Sequence, residues 1–351
     1  MTDYKLCVIP GDGVGHEVIP CAVEVLQRVL PGISLVQADA GWDCFKLTGS
    51  ALPDATIASI QSCGAALFGA VSSPSKKVEG YRSPIVQMRQ RLDLYANLRP
   101  TRDLDLTKSG SRFDAPAPDT ESKLHNPKLK IDLLVVRENT QGLYIGREYV
   151  RGEEAIAERV ITRAASERIA RVACELANTR ERKQLTIVHK ANILPVTDGT
   201  FRDAVRAVGV DYPEVKINEL LVDTAAMLLA SKPQQFDVLV TTNLFGDILS
   251  DVASVWGGGM GVAPALNLGS GVAIAEPVHG SAPDIAGQGI ANPTGAILSA
   301  ALLLRYHWKQ IGAAEHIEQA VHNAIAAGYR TRDLDGTATT RQVADAILER
   351  C

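Results

Sequence analysis

Short apolar runs alternate with longer amphipathic segments along this 351-residue chain, and that alternation limits the folds open to it. The run KLCVIP (5–10) leads into a Gly-rich turn, GDGVG, and then into an amphipathic segment at 16–30. Further apolar runs lie at 65–71, 131–136, 185–188 and 236–240, and helical patterns lie near 153–178, 198–208, 294–311 and 313–327. This order of elements predicts an α/β fold with a mostly parallel sheet.

Composition narrows the class of protein. With 46% hydrophobic residues the chain can bury a large core, and its length favours two lobes. A net charge of −4 gives no reason to propose nucleic acid or an anionic membrane as partner. No apolar run approaches the roughly 18 residues that span a bilayer. The six cysteines are scattered, as free thiols are, and the N-terminus shows no basic leader, so we expect a cytoplasmic protein.

Polar residues follow four of the predicted strands, at the edge where ligands bind in open α/β sheets. In strand order they are Ser72 and Ser73; Arg137, Glu138 and Asn139; His189, Lys190 and Asn192; and Thr241, Thr242 and Asn243. We therefore expect a ligand site there. The segment 103–130 differs from the rest, since it is polar, contains proline and has no period, and it is predicted to be a loop insertion.

The stretch NLFGDILSD places Asp247 and Asp251 four residues apart. If it is helical, both carboxylates lie on one face, where they repel each other unless a hard cation such as Mg²⁺ or Mn²⁺ binds between them. The alternative is a pair of first-turn carboxylates favoured by the helix dipole. Asp223, after another apolar run, is either a helix N-cap or a third metal carboxylate.

Arginines precede and follow this region. Arg89, Arg91 and Arg99 lie in MRQRLDLYANLRP, and Arg137 comes later. A guanidinium matches a carboxylate, so arginines near a metal suit a substrate with several carboxylates, whereas Arg91 is better interpreted as a solvated helix residue. Pro100 indicates the end of an element.

Two further side chains suit proton transfer, and two Gly-rich segments invite a nucleotide. Lys190 can act as a base near a cation and Tyr144 as a proton donor, although each has a structural alternative. GDGVG gives G-x-G-x-G, not the G-x-G-x-x-G of the dinucleotide fingerprint, so it is interpreted as a tight turn. The segment 276–304, rich in Gly, Pro and small residues, suits close backbone approach to a nucleotide.

With these residues assembled, the chain resembles the β-hydroxyacid oxidative decarboxylases, which include isocitrate, 3-isopropylmalate, homoisocitrate and tartrate dehydrogenases. The resemblance runs from about residue 4 to the C-terminus, interrupted mainly at 103–130, and rests on GDGVGHEV, RLDLYANLRP, VRENTQGLY, HKANI, NLFGDILSD and EPVHGSAPDIAGQGIANP. It implies a two-lobed isopropylmalate-dehydrogenase-like fold with a mostly parallel central sheet, not a Rossmann fold. A large cofactor-binding lobe would comprise 1–98 and 255–351, and a small dimerisation and substrate lobe 99–254.

The resemblance also implies residue roles. Arg89, Arg99, Arg137 and Asn192 would bind the substrate. Asp247 and Asp251, with Asp223 of the partner subunit, would bind Mg²⁺ or Mn²⁺. Lys190, also from the partner, would take the hydroxyl proton, and Tyr144 would protonate the carbon that loses CO₂. A site shared in this way makes a homodimer obligatory, and the sequence leaves open whether dimers pair into tetramers.

For the cofactor, the resemblance implies NAD. The residues expected near it are Ser72, Glu276, His279, Gly280, Ser281, Ala282, Asp284, Ile285 and Asn292. Asp284 with Ile285 is the pair that NAD-dependent members carry, and a carboxylate there would repel a 2′-phosphate. Arg332 departs from this pattern, because a cation near the adenosine ribose could tolerate phosphate.

The substrate is predicted from the segment before Arg89. Ser83, Ile85 and Val86 belong to the sequence SPIV, a pattern that resembles that of homoisocitrate dehydrogenases. The sequences AGW near Gly41 and KKVEGY at 76–81 resemble the same enzymes. Homoisocitrate is therefore placed first, isocitrate or 3-isopropylmalate second, since Ile85 and Val86 could pack an isopropyl group, and tartrate-like acids third. Gln141 replaces the Glu usual in its motif.

An alternative of a different class is a non-catalytic, metal-binding homologue. In such a protein at least one member of the site should be missing. All five are present: Tyr144, Lys190, Asp223, Asp247 and Asp251.

Overall fold

A computed structural model describes residues 4–76, 78–103 and 130–351. The predicted loop insertion at 103–130 lies outside the described residues except for its two ends. Among the described residues, contacts divide the chain into one unit of 4–93 (without 77), 103 and 257–351 and another of 94–102 and 130–256. The predicted lobe boundaries, 98/99 and 254/255, lie close to two of these divisions, and the roles given to the lobes stay predictions.

The described residues contain twelve strands and eleven α-helices. The strands are β1 Lys5–Gly11, β2 Ser34–Gln37, β3 Ala65–Ala70, β4 Ala96–Arg102, β5 Asp132–Glu138, β6 Glu148–Arg151, β7 Glu154–Ala157, β8 Gln184–His189, β9 Lys216–Leu221, β10 Val238–Thr241, β11 Pro264–Leu268 and β12 Ala273–Pro277. The helices are α1 Gly15–Val29, α2 Trp42–Thr48, α3 Asp54–Cys63, α4 Pro84–Arg91, α5 Arg163–Thr179, α6 Thr197–Gly209, α7 Val222–Ser231, α8 Asn243–Ser254, α9 Thr294–Leu302, α10 Ile311–Ala326 and α11 Thr340–Leu348. None of these helices combines the length and the apolar character that a membrane span requires.

The first unit is built on the strand order β2-β1-β3-β12-β11. The pairs β1–β2, β1–β3 and β3–β12 are parallel, and β11–β12 is antiparallel. All six residues of β3 are buried, as expected for a parallel strand covered on both faces. Helix α1 buries one apolar face that includes Val18, Val25 and Leu26, and it packs against α9 and α11. This amphipathic pattern is why the segment after the GDGVG turn forms a helix.

The second unit is built on the order β4-β5-β10-β8-β9. The pairs β5–β10, β10–β8 and β8–β9 are parallel, and β4–β5 is antiparallel. Helices α7 and α8 pack on a core that contains Leu133, Val135, Leu239 and Leu249, while α5 packs against α6. Strands β6 and β7 form a separate two-stranded antiparallel ribbon whose residues are almost all exposed.

The α/β prediction is confirmed, as are the five predicted strands, which correspond to β1, β3, β5, β8 and β10. Two local predictions are wrong. The helix expected near 153–178 begins only at Arg163, behind the N-cap Thr162, because β7 occupies 154–157. Pro100 does not end an element but lies inside β4, opposite Leu134 of β5. Pairing of the neighbours on both sides, from Ala96 to Arg102, keeps the strand intact although proline offers no N–H.

Candidate functional site

Three strands of the second unit bring their carboxyl ends to one edge. Because β10 pairs in parallel with β5 and with β8, Thr241 lies between Arg137 and Val188 in the register. The residues that follow these strands therefore meet at that edge, as predicted. Helix α8 starts two residues after β10, so its first turns stand above the same edge.

Helix α8 places Asp247 and Asp251 on one face, as the spacing predicted. A single side chain shows this, since Arg99 Nη2 lies 3.3 Å from Asp247 Oδ1 and Arg99 Nη1 lies 3.3 Å from Asp251 Oδ1. The two aspartates are the fifth and ninth residues of the helix, and its first turn holds no acidic residue. The first-turn alternative is therefore wrong.

Arg137 supports this pair from below. Its side chain is only 1% exposed and donates to Asp247 and, through Nε and Nη2, to Asn243 Oδ1 at 3.0 and 2.7 Å. Gly246 makes room for it, since a Cβ at 246 would come within 2.6 Å of Arg137 Cγ. Arg99 is held in the same way, donating to Asn97 Oδ1 at 2.9 Å and Ser250 Oγ at 2.8 Å. Both guanidiniums are thus fixed before any ligand arrives.

The carboxylates of this cluster face outward. The side chain of Asp247 is 33% exposed and that of Asp251 49%. Burial and the charge of Asp247 raise the pKa of Asp251, and Arg99 partly offsets the rise. Two neighbouring carboxylates with accessible oxygens are a donor set that suits Mg²⁺ or Mn²⁺. Among the described residues of one chain, no group of three acidic, histidine or cysteine side chains is arranged to hold a metal.

Tyr144 joins the same cluster. Its hydroxyl donates to Asp247 Oδ2, and the Arg137 guanidinium carbon lies 5.0 Å from the centre of its ring. Burial raises the pKa of Tyr144, and the hydrogen bond to Asp247 raises it further. The phenol therefore stays protonated near neutral pH, as a proton donor must.

The loop that carries Tyr144 is held by hydrogen bonds from both sides. Buried Glu138 accepts from the N–H groups of Thr140 and Gln141 at 2.9 and 2.8 Å. The Gln141 amide accepts from Thr162 N at 2.8 Å and donates to Thr162 Oγ1 at 2.9 Å, which connects the loop to the start of α5. The structure thus gives Gln141 a positioning role that the sequence left unexplained.

Lys190 and Asp223 form a second cluster. Their side chains are bonded to each other, and this bond lowers the pKa of Asp223. Asp223 lies in the first turn of α7, whose N-cap is Leu221, so the N-cap alternative is wrong. Lys190 N donates at 2.6 Å to Asp198, a fully buried carboxylate that pairs with Arg159. Sequence reasoning missed Asp198, because an acidic residue in a first helical turn is ordinarily exposed.

Asn192 is exposed in the turn that follows β8. In the first unit, Ser83, Ile85 and Val86 lie at the start of α4 and are partly exposed. Arg91 is exposed at the end of that helix and donates to Asp54 at 2.6 Å, which confirms its interpretation as a surface residue.

A buried ion pair also lies in the first unit. Arg89 Nη2 lies 3.0 Å from Glu276 Oε1, which accepts from Asn267 Nδ2 at 2.8 Å as well. The Glu276 carboxylate therefore pairs with Arg89, which was predicted to bind the substrate. The sequence had predicted only that Glu276 lies near the cofactor, and this contact was not foreseen. Arg89 Nε is buried and has no hydrogen-bond partner in the part of the chain that the structure describes.

The loop at 278–292 is anchored to the GDGVG turn. Ser281 O accepts from Val14 N at 2.9 Å, and Ser281 Oγ lies 2.7 Å from Ser72 Oγ. Glu17 accepts from the N–H groups of Gly287 and Gly289 at 2.6 and 2.8 Å. GDGVG is thus a tight turn that supports the loop, and the loop in turn presents Asp284 to solvent.

His279 carries an open hydrogen-bonding group in this loop. Its Nδ1 lies 2.9 Å from Gly280 O, and its buried Nε2 has no partner among the described residues. Burial lowers the pKa of His279, so the ring is neutral near pH 7. A buried orphan nitrogen beside exposed backbone fits a heterocyclic ligand such as adenine. Asn292, at the end of the loop, donates at 3.0 Å to Asp333, which places the turn of Arg332 next to it.

The fold is α/β, and arginine and aspartate side chains meet on α8. Comparison with known proteins gives the class and the family: the isocitrate/isopropylmalate dehydrogenase family matches residues 5–347, so the chain belongs to this family of decarboxylating dehydrogenases. It is 48% identical, over 99% of its length and 98% of the relative's, to the isocitrate/homoisocitrate dehydrogenase of Thermus thermophilus.

Other relatives carry different names. The chain is 44% identical to the homoisocitrate dehydrogenase of Methanocaldococcus jannaschii, over 98% of this chain and 96% of that one. It is 43% identical to the 3-isopropylmalate dehydrogenase of Archaeoglobus fulgidus, over 98% of each. Among solved structures, the isocitrate dehydrogenase of Methylococcus capsulatus superposes with a TM-score of 0.87 at 40% identity, covering 99% of both chains. These likenesses confirm the predicted family and fold.

Proposed function

We propose that the protein catalyses the NAD-dependent oxidative decarboxylation of a 2-hydroxy-3-carboxy acid, with homoisocitrate converted to 2-oxoadipate and CO₂ in lysine biosynthesis. The observation that carries the proposal is the cluster on α8. Buried Arg99 and Arg137 lie under the outward-facing carboxylates of Asp247 and Asp251, and Tyr144 bonds to Asp247. A multiply charged acid needs this combination of guanidiniums and cation ligands.

When bound, the nicotinamide takes a hydride, and the divalent cation withdraws electrons from substrate oxygens as a Lewis acid. The residues do the rest of the work. Arg99 and Arg137 fix the substrate carboxylates. Lys190, in its neutral amine form, accepts the hydroxyl proton as the carbinol becomes a ketone. The bond to the neighbouring carboxylate then breaks to release CO₂, and Tyr144 delivers a proton to the carbon that keeps the electron pair.

NAD as the cofactor is supported by the loop of the first unit. The neutral ring of His279 offers a buried nitrogen, and the exposed Asp284 carboxylate would accept from ribose hydroxyls and repel a 2′-phosphate. Arg332 is exposed and precedes Asp333, the residue to which Asn292 donates. Its positive charge would weaken the discrimination against NADP. We expect NAD to be preferred and the preference to increase when Arg332 is replaced by Gln.

A homodimer with shared active sites is part of the proposal. Within one chain Asp223 pairs with Lys190, and the described residues contain no group of three acidic, histidine or cysteine side chains that could hold a metal, which supports a third ligand from a second copy. Met227 on α7, Ile248 on α8 and Val255, the C-cap of α8, are more than half exposed, at 58%, 53% and 55%. Exposed apolar side chains of this kind suit a second copy of the chain. All six cysteines are free, which agrees with the proposed cytoplasmic location.

Complementation between inactive variants tests the shared site. Lys190→Ala and Asp247→Asn should each be inactive as purified homodimers. Co-expressed, they should recover about a quarter of wild-type activity, because half of the dimers are mixed and each mixed dimer has one intact site. Co-expression of Asp247→Asn with Asp251→Asn is the matched control, since both changes lie in the same half-site and no intact site can form. No recovery in the first mixture would contradict a shared site.

3-Isopropylmalate is the second candidate substrate. Ile85 and Val86 are partly exposed on the first turn of α4, and a relative named for this acid is 43% identical. The deciding experiment measures NADH formation from homoisocitrate, isocitrate, 3-isopropylmalate and tartrate with Mg²⁺, and repeats it with NADP. Preference for homoisocitrate with NAD supports the proposal. Preference for 3-isopropylmalate would keep the mechanism but move the protein to leucine biosynthesis, and activity with none would contradict the function.

A further inference from the structure

Two sequence segments that bear on substrate choice meet in the first unit. AGW ends at Trp42 in the first turn of α2, and KKVEGY ends at Tyr81, two residues before Ser83. The rings of Trp42 and Tyr81 pack edge to face with centroids 5.1 Å apart, and Phe45 meets the same ring at 5.3 Å. Trp42 and Phe45 stack on each other at 5.5 Å. Trp42, Phe45 and Tyr81 are called the aromatic clamp below.

The clamp is fixed from below by one carboxylate. Asp12, 1% exposed, accepts from the N–H groups of Trp42 at 2.7 Å, Asp43 at 2.9 Å and Ser72 at 2.8 Å. Gly41 has φ +129, and a Cβ there would lie 2.6 Å from the Asp12 carboxylate, so glycine is required at this approach. The start of α2 and the segment after β3 therefore share one support.

Tyr81 connects this support to the recognition segment. Its hydroxyl donates to Ser72 O at 2.9 Å, and its ring fills the clamp. Ser83 is the N-cap of α4, whose first turn carries Ile85 and Val86, and no side chain caps that turn. Six residues after Ser83, the ion pair of Arg89 with Glu276 holds the other end of the helix. Tyr81 thus anchors the chain two residues before Ser83, the N-cap of the uncapped end of α4.

We propose that Tyr81, held by the aromatic clamp, is a positioning residue that sets the specificity of the enzyme for the group carried on C3 of the substrate. The inference rests on the proposed function. If the anchor is lost, Ser83, Ile85 and Val86 move relative to Arg89, which the ion pair keeps in place. The selectivity between substrates with different C3 groups should then fall more than the affinity for the malate portion that they share, because a pocket discriminates through close contact.

Three variants test the inference: Tyr81→Leu, Tyr81→Phe, and Tyr4→Leu as a matched control. Tyr4 also packs on a tryptophan of the first unit, Trp308, at 5.4 Å, and its hydroxyl accepts from Gln310 at 2.9 Å. The measurement is kcat/KM for the four acids. Tyr81→Leu should reduce the ratio between the best acid and the next by about 10-fold, through KM of the best acid. Tyr81→Phe keeps the ring and should retain most of the ratio, and Tyr4→Leu should leave it unchanged.

A second measurement does not depend on turnover. Hydrogen exchange of the amides at 84–91, without substrate, should be faster in Tyr81→Leu than in wild type and unchanged in Tyr4→Leu. If the selectivity ratio is the same in Tyr81→Leu and wild type, or if exchange in α4 does not change, the positioning role is overturned. If wild type oxidises none of the acids, the proposed function fails, and the exchange result still decides whether Tyr81 positions α4.

Discussion

Arginine–aspartate pairs lie at both ends of the parallel strands in the second unit, and the member of the pair that is buried differs between the two ends. At the amino ends of β5, β8 and β10, Arg180 is bonded to Asp132 and Asp237, and in the pair with Asp237 the carboxylate is the buried member: Asp237 is 1% exposed and Arg180 19%. At the carboxyl ends, Arg137 is bonded to Asp247, and the guanidinium is the buried member, 1% exposed against 33%.

This reversal separates a structural pair from a site. Asp237 is enclosed by Arg180 and by Gln184 N, which donates at 3.0 Å, so its oxygens serve only to join three chain segments. Asp247 is contacted by Arg137, Arg99 and Tyr144, yet its side chain stays 33% exposed. A cation can therefore reach the carboxylate of Asp247 but not that of Asp237. Which partner is buried, and not the presence of an arginine–carboxylate pair, therefore distinguishes the proposed site from the structural pair.

The largest expected effect is that of Asp247→Asn. The substitution removes a charged ligand from the proposed cation site, and Lewis-acid stabilisation of about 4 kcal/mol corresponds to about a 1000-fold loss of kcat. Mn²⁺ affinity, measured by calorimetry, should fall with it. The same change at the opposite end, Asp237→Asn, is the control and should leave kcat and metal affinity unaltered. Unchanged Mn²⁺ affinity in Asp247→Asn would count against the metal assignment.

Asp237→Asn should instead lower the free energy of unfolding. Replacing one partner of a buried ion pair leaves the other charge poorly compensated, which costs about 3 kcal/mol. The expected result is a lower urea midpoint with unchanged kcat at 25 °C. An unchanged urea midpoint in Asp237→Asn would mean that the Arg180–Asp237 pair does not stabilise the amino end of the sheet.

Both ends carry the same residue types, and the sequence distinguished them only in part. It predicted the geometry of the carboxyl end correctly, because strand-like runs lead directly into Arg137 and into Asn243, and because helical spacing puts Asp247 and Asp251 on one face. The function of that end stays a prediction. Burial of Asp198 and Asp237 was not predicted, since it depends on Arg159 and Arg180, which come from distant parts of the chain. Contacts of long sequence separation leave no local pattern.

The missed strands have a similar explanation. KINELL of β9 is only partly buried, so its apolar residues do not form the continuous run that identified β5 and β10. Strand β4 contains Pro100, which argues locally against a strand, yet antiparallel pairing with β5 overrides it. The ribbon of β6 and β7 is almost fully exposed, so burial gave no periodic signal there.

A smaller loss of turnover is expected for Tyr144→Phe. The variant keeps the ring against Arg137 and removes only the hydroxyl, so kcat should fall by about 100-fold while KM changes little. Substrate deuterated at the carbinol carbon supplies the control. Its isotope effect on kcat should become smaller in the variant, because reprotonation and not hydride transfer then limits the rate. A rise in KM with unchanged kcat would contradict the role of Tyr144 as an acid.

The smallest effect is expected at the amino end, for Asp132→Asn. Burial acts to raise the pKa of Asp132, but Arg180 and Arg102 outweigh it and hold that pKa below the ordinary value. A depressed pKa contributes stability above the unfolded-state value of about 3.9, and this contribution is lost as pH falls through the folded-state pKa. Because the side chain is 37% exposed, solvent screening keeps the contribution small.

Urea midpoints of wild type and Asp132→Asn should therefore differ slightly at pH 6 and converge below about pH 4. Arg102→Gln, which removes the more exposed of the two partners, should give a smaller difference with the same convergence. A difference that stays constant down to pH 3 would mean that packing and not charge sets the contribution of Asp132. The amino end would then be stabilised by shape alone, and the reversal between the two ends would hold for Asp237 only.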